Sequence, residues 1–131
     1  MRRQPLILLV DDSADDRALY REHLVASGFA VQTAADGHEA VLAAQSEVPD
    51  LVLMDLEMPR VDGWAAARQL KGLASTQAIP IIALSGFHDT AVVMRAISMG
   101  CVQFVPKPCF AKDLETIIRV TLENSCGSNA P

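Results

Sequence analysis

Five short apolar runs punctuate the chain: LILLV at 6–10, FAVQT at 29–33, LVLM at 51–54, IPIIAL at 79–84 and CVQFV at 101–105. Between them the apolar positions recur at helical spacing. The first such segment starts at a cap, Asp12 or Ser13, and carries Ala18, Leu19 and Leu24 to a stop at Gly28. Further helices are predicted over about 38–46, 62–72 and 89–99, the last closed by Gly100. A fifth covers about 110–123, with Leu114, Ile117, Ile118 and Leu122 on one face. Asp62, next to Gly63, is the expected N-cap of the third.

Strand and helix thus alternate five times. Runs that are apolar along their whole length, instead of at every second residue, fit parallel strands covered on both faces by helices. Right-handed crossovers then place all strand C-termini on one edge of the sheet, where open α/β sheets bind their ligands. The residues that close each run are therefore the candidates for chemistry. They are Asp11 and Asp12 after the first, Asp55 after the third, Ser85 after the fourth and Lys107 after the fifth.

Three carboxylates gathered within about 5 Å repel by roughly 3 kcal/mol per pair at an effective dielectric of about 20. Protonating one acid or binding a cation relieves this. Oxygen donors with no His or Cys beside them favour a hard divalent ion, Mg²⁺ or Mn²⁺. An EF-hand reading of DDSADD fails, because the glycine and the closing Glu are missing at the required spacing. A carboxylate can also attack phosphorus to give an acyl phosphate, a reaction that asks for a metal, a cation on the phosphoryl oxygens and a hydroxyl donor. Asp55, Lys107 and Ser85 offer the nucleophile, the cation and the hydroxyl.

Composition narrows the class. At 131 residues, half of them apolar and about a fifth charged, the chain suits one globular domain over 1–123, with NSCGSNAP at 124–131 read as a polar tail or the start of a linker. A net charge of −5 and scattered Lys and Arg argue against direct nucleic-acid binding. The opening MRRQPLILLV has too short an apolar core for a signal peptide, and no run is long enough to span a membrane, so a cytoplasmic protein is expected. Cys101, Cys109 and Cys126 make no zinc-type spacing and read as reduced thiols, while His23, His38 and His88 read as surface residues.

The set VDD at 10–12, MDLEMPRVDG at 54–63, LSG at 84–86 and FVPKP at 104–108 resembles the receiver domain of two-component response regulators. The likeness runs from about Leu6 to Glu123. It implies a doubly wound (βα)5 flavodoxin-like three-layer sandwich with a five-stranded parallel sheet in the order 2-1-3-4-5. It also implies that Asp55 is the phosphoacceptor and that Asp11, Asp12, Asp55 and the backbone carbonyl of Glu57 hold Mg²⁺. Lys107 would grip the phosphoryl group, and Ser85 with Phe104 would form the switch pair. A cis peptide is expected at Lys107-Pro108. Glu57 and Phe87 would flank the path of the hydrolytic water and tune the lifetime of the acyl phosphate. The family departs from this chain after the lysine and proline, where Cys109 precedes Phe110.

The implied partners are a sensor histidine kinase or histidine phosphotransfer protein as donor, and an output protein or domain as acceptor of the signal. A phosphorylation-dependent homodimer is among the alternatives. Such a domain is not an enzyme toward outside substrates; it catalyses only its own phosphorylation and dephosphorylation. Competing readings are an aspartate-nucleophile phosphohydrolase, whose nucleophile would sit in a DxD motif on the first strand, and a receiver fold used only for docking. Local readings compete as well. Asp11-Asp12 could be a helix cap with its dipole complement, Ser85 a cap for the fourth helix and Phe104 plain core.

Overall fold

The computed structural model describes residues 4–56, 63–86, 90–107 and 111–128. The strands are β1 (Leu6–Val10), β2 (Ala30–Ala34), β3 (Leu51–Asp55), β4 (Ile81–Ser85) and β5 (Gln103–Pro106). The helices are α1 (Ala14–Ala26), α2 (Gly37–Ser46), α3 (Gly63–Gly72), α4 (Thr90–Ser98) and α5 (Ala111–Ser128). All strand pairs are parallel, in the order β2-β1-β3-β4-β5.

Period-two alternation splits the strand residues between two cores. Ile7, Leu9, Leu51, Leu53, Ile82, Leu84 and Val105 pack with Leu24, Phe29, Leu114 and Ile118 beneath α1 and α5. Leu8, Val10, Val52, Met54, Ile81 and Ala83 pack with Ala40, Ala44, Ala66, Leu70 and Ala96 beneath α2, α3 and α4. Every residue of β1, β3 and β4 is buried, the signature of central strands, whereas β2 at the edge is only part-buried over most of its length. Each fully buried Leu or Ile contributes roughly 1.5–3 kcal/mol, so these strands form a stiff base for whatever lies at their ends.

Three strands, β2, β4 and β5, begin later than the hydrophobic runs suggest, and β2 and β5 do so for the same reason. Gly28 and Gly100 have φ of 99° and 98°, the left-handed geometry that ends a helix. After α1, the Gly28 N–H donates to Val25 O and the Phe29 N–H to Leu24 O, both at 3.1 Å. After α4, the Gly100 N–H donates to Ile97 O at 3.0 Å and the Cys101 N–H to Ala96 O at 3.1 Å. Phe29 and Cys101 are therefore the buried apolar residues of helix stops, and pairing starts after them. At the other end the helix α5 runs on to Ser128, into the segment expected as a tail. Ser13, not Asp12, caps α1, accepting from the Asp16 N–H at 3.2 Å.

Burial holds the Cys101 thiol pKa up at about 11, and the nearby Lys71 ammonium only partly offsets this. A thiol raised in this way keeps its proton in the folded protein while the unfolded chain loses it, so it lowers stability as pH rises above about 9. Iodoacetamide at pH 8 is expected to leave Cys101 unmodified in the native protein and to label it in urea, read by peptide mass. Rapid native labelling would contradict this burial.

Candidate functional site

The same alternation that builds the cores aims the polar groups. Asp11 follows Leu9 by two, Asp55 follows Leu53 by two and Lys107 follows Val105 by two, and those two leucines and the valine all lie on the α1–α5 face. The register Val10↔Met54, continued by one residue, sets Asp11 beside Asp55. Ser85 has the parity of Ala83 and Ile81, so it faces the α2–α3–α4 side. Phe104, paired with Ala83, lies half-buried on that face too.

Asp11 and Asp55 are buried, Asp12 is exposed, and one carboxylate oxygen of each lies within 4.8 Å of the others. The Lys107 ammonium enters this group, 3.1 Å from Asp55 Oδ2 and 3.4 Å from Asp11 Oδ2. Its backbone is fixed by donation from the Lys107 N–H to Ser85 O at 2.8 Å. The other oxygen of Asp11 accepts the Ser13 N–H at 2.9 Å. The protein thus carries its own cation into the repulsive cluster, a remedy that the sequence reading left to protonation or to a bound ion.

Burial alone would lower the Lys107 pKa, but the charges and hydrogen bonds of Asp55 and then Asp11 outweigh it, and the net direction is up. One ammonium against three carboxylates leaves two formal negative charges uncompensated, which a divalent cation balances. The donors are all oxygens and two of them are held by rigid strand ends, so the set fits a hard ion such as Mg²⁺.

A close backbone approach shapes the end of β3. A Cβ placed on Gly63 would fall on the Asp55 carbonyl oxygen and lie 2.6 Å from Leu56 Cα. The Gly63 N–H donates to Leu56 O at 3.3 Å. The start of α3 is thereby seated directly on the backbone that carries Asp55. The dipeptide DG is visible in the sequence as a helix start, but the contact that demands glycine there is tertiary and has no local signature. Next along, Trp64 stacks under the Arg95 guanidinium of α4, with 4.2 Å from Cζ to the ring centre.

Of the residues singled out by sequence, Asp11, Asp12, Asp55 and Lys107 come together, with Ser85 buried on the neighbouring strand end. Ser85 ends β4, and α4 is described from Thr90 onward. Glu57, Asp62, Phe87 and the Lys107-Pro108 bond involve positions outside the described residues.

Residues 7–119 match the sequence profile described as the response regulator receiver domain. The chain belongs to that family. This receiver domain is 37% identical over 119 residues to a protein described as "Probable transcriptional regulator ycf27" from Cyanophora paradoxa, covering 91% of the chain and 48% of that relative. The chain spans about half the length of the curated relatives that it matches first. Among solved structures, the signal receiver domain of a signal transduction histidine kinase from Syntrophus aciditrophicus is 32% identical, with a TM-score of 0.84 and coverage of 92% of this chain and 91% of that one. A receiver domain protein from Methanospirillum hungatei shares the fold at a TM-score of 0.90 and 21% identity, covering 96% and 99% of the two chains. Receiver domains bind Mg²⁺ at an acidic pocket, and this chain has a cluster of Asp11, Asp12 and Asp55 at the strand ends. Among the described residues no helix is long and apolar enough to cross a membrane.

Proposed function

We propose that this receiver takes a phosphoryl group onto Asp55 from a phosphohistidine of a histidine kinase or phosphotransfer protein. The single observation that supports this reading most is the meeting of the buried Asp55 with Asp11, Asp12 and Lys107 at the C-terminal edge of the sheet. A carboxylate oxygen of Asp55 attacks phosphorus in line, the P–N bond breaks, and the imidazole nitrogen of the donor leaves with the bonding pair. Mg²⁺, when bound by Asp11, Asp12, Asp55 and the Glu57 carbonyl, supplies charge neutralisation for the phosphoryl oxygens.

Lys107 now spans Asp55 and Asp11, and in the acyl phosphate its ammonium passes to a phosphoryl oxygen. The Ser85 hydroxyl, at the end of β4, donates to another. Drawing Ser85 toward the phosphoryl group makes room on the face it shares with Phe104, whose ring turns inward. The signal leaves through the α4–β5–α5 surface, where Met94, Ile97, Val102 and Val120 are exposed apolar side chains suited to an output partner. Glu57 and Phe87 set how long the acyl phosphate lasts.

Incubation with acetyl phosphate and Mg²⁺ is expected to add the mass of one phosphoryl group to the intact chain. Chelation with EDTA removes the gain, and so does Asp55→Ala. An Asp55→Ala chain that still gains it contradicts the assignment.

A further inference from the structure

The arginine at the start of α1 touches the pocket without facing it. Arg17 Nη1 donates to the backbone carbonyl of Asp11 at 2.7 Å, and the Arg17 side chain is half-buried in doing so. That carbonyl belongs to the rigid peptide plane joining Asp11 to Asp12. On its other side Asp11 is tied to the sheet, its N–H donating to Ala34 O at 3.1 Å. The Asp11 carboxylate is independently held by Ser13 and Lys107. The carboxylate of Asp12 is exposed, so its place in the triad depends on how its backbone is oriented.

We propose that Arg17 is a positioning residue for the cation site: by fixing the Asp11-Asp12 peptide, it aims the Asp12 carboxylate at the other two acids. The proposal rests on the receiver reading above and deepens it by adding a residue outside the motifs that carry the family likeness.

Charge and position make opposite predictions, which separates them. A guanidinium beside a cation site repels the incoming ion, so if charge were its main effect, removing it would tighten Mg²⁺ binding. If it orients Asp12, removing it weakens binding, as loss of an outer partner of a metal ligand does.

The test is titration of the full chain with Mg²⁺ alone, followed by the backbone amide resonances of the β1–α1 turn, with thermal unfolding measured alongside. Arg17→Met keeps the apolar stem and is expected to raise the Mg²⁺ Kd about tenfold. Arg17→Lys, which keeps a donor of similar reach, is expected to recover most of that loss. In an Asp12→Asn background, Arg17→Met is expected to produce no further loss, a result that general destabilisation would not give. Should Arg17→Met not fold, Arg17→Gln, whose amide falls short of the carbonyl, reads the same comparison. Unchanged or tighter binding in a folded Arg17 variant overturns the proposal while leaving the receiver reading intact, and so does additivity with Asp12→Asn. Failure of the wild-type chain to bind Mg²⁺ overturns both.

Discussion

Gly63→Ala is expected to lower stability by about 3 kcal/mol, near the top of the range for forcing a methyl group into filled space. The three atoms that its Cβ would strike are all backbone, in Asp55 and Leu56, at the end of a strand buried on both faces. No side-chain rotation relieves such a clash. Either α3 lifts away from the sheet or the end of β3 moves, and the second outcome carries Asp55 away from Lys107. A site of this kind needs its groups within about 0.5 Å of their working geometry, so phosphoryl uptake is expected to fall together with stability. Gly72 supplies the control, because a Cβ there meets nothing within 4 Å. Gly72→Ala should be neutral or slightly stabilising, through the lower backbone entropy of alanine in the unfolded chain. Thermal unfolding by circular dichroism compares the two, and equal midpoints would mean that the close approach at Gly63 is not rigid.

Lys107→Ala is expected to lower stability by about 2 kcal/mol in Mg²⁺-free buffer. Breaking a fully buried ion pair costs roughly 3–5 kcal/mol, and the cost is smaller here because the Lys107 side chain is 23% exposed and water screens part of its charge. The variant leaves Asp11 and Asp55 repelling each other without an internal cation. Added Mg²⁺ is expected to restore most of the loss, since an ion held by the three aspartates would stabilise the folded state and offset their repulsion. The same variant should accumulate less phosphoryl group despite binding the ion more tightly, because nothing then grips the transferred oxygens.

pH reports on the same pair with a defined sign. The raised Lys107 pKa means that its contribution to stability is present below the unfolded value of about 10.4 and is lost as pH rises through the folded value. The wild-type advantage over Lys107→Ala should therefore shrink above that pH. A constant difference across the alkaline range would contradict the ion pairs.

Much of this architecture was legible in the chain because the burial pattern is local. Runs such as LILLV and LVLM are apolar throughout since both of their faces are covered, and the acids that end them sit where the sheet stops. The pairing of Asp55 with Lys107 could be anticipated only as convergence on one edge, and the ammonium's direct entry among the carboxylates emerged from the register of β3, β4 and β5. Phe29 and Cys101 looked like strand residues because a helix stop with a left-handed glycine places a buried apolar residue immediately before the strand, and hydrophobicity alone cannot divide them. Arg17 carried no signal at all: its partner is a backbone carbonyl, and backbone acceptors have no sequence identity. Gly63 was visible as a turn residue, yet the reason for glycine lies in the backbone of another element.

The central claim, that Asp55 accepts the phosphoryl group, is tested most directly by trapping the product. After incubation with acetyl phosphate and Mg²⁺, borohydride reduces an aspartyl phosphate to homoserine, and peptide mass spectrometry locates the modified position. The expected result is homoserine at position 55 alone, absent when the metal is chelated. Homoserine at position 11 or 12, or phosphorylated protein in which position 55 remains aspartate, would contradict the account.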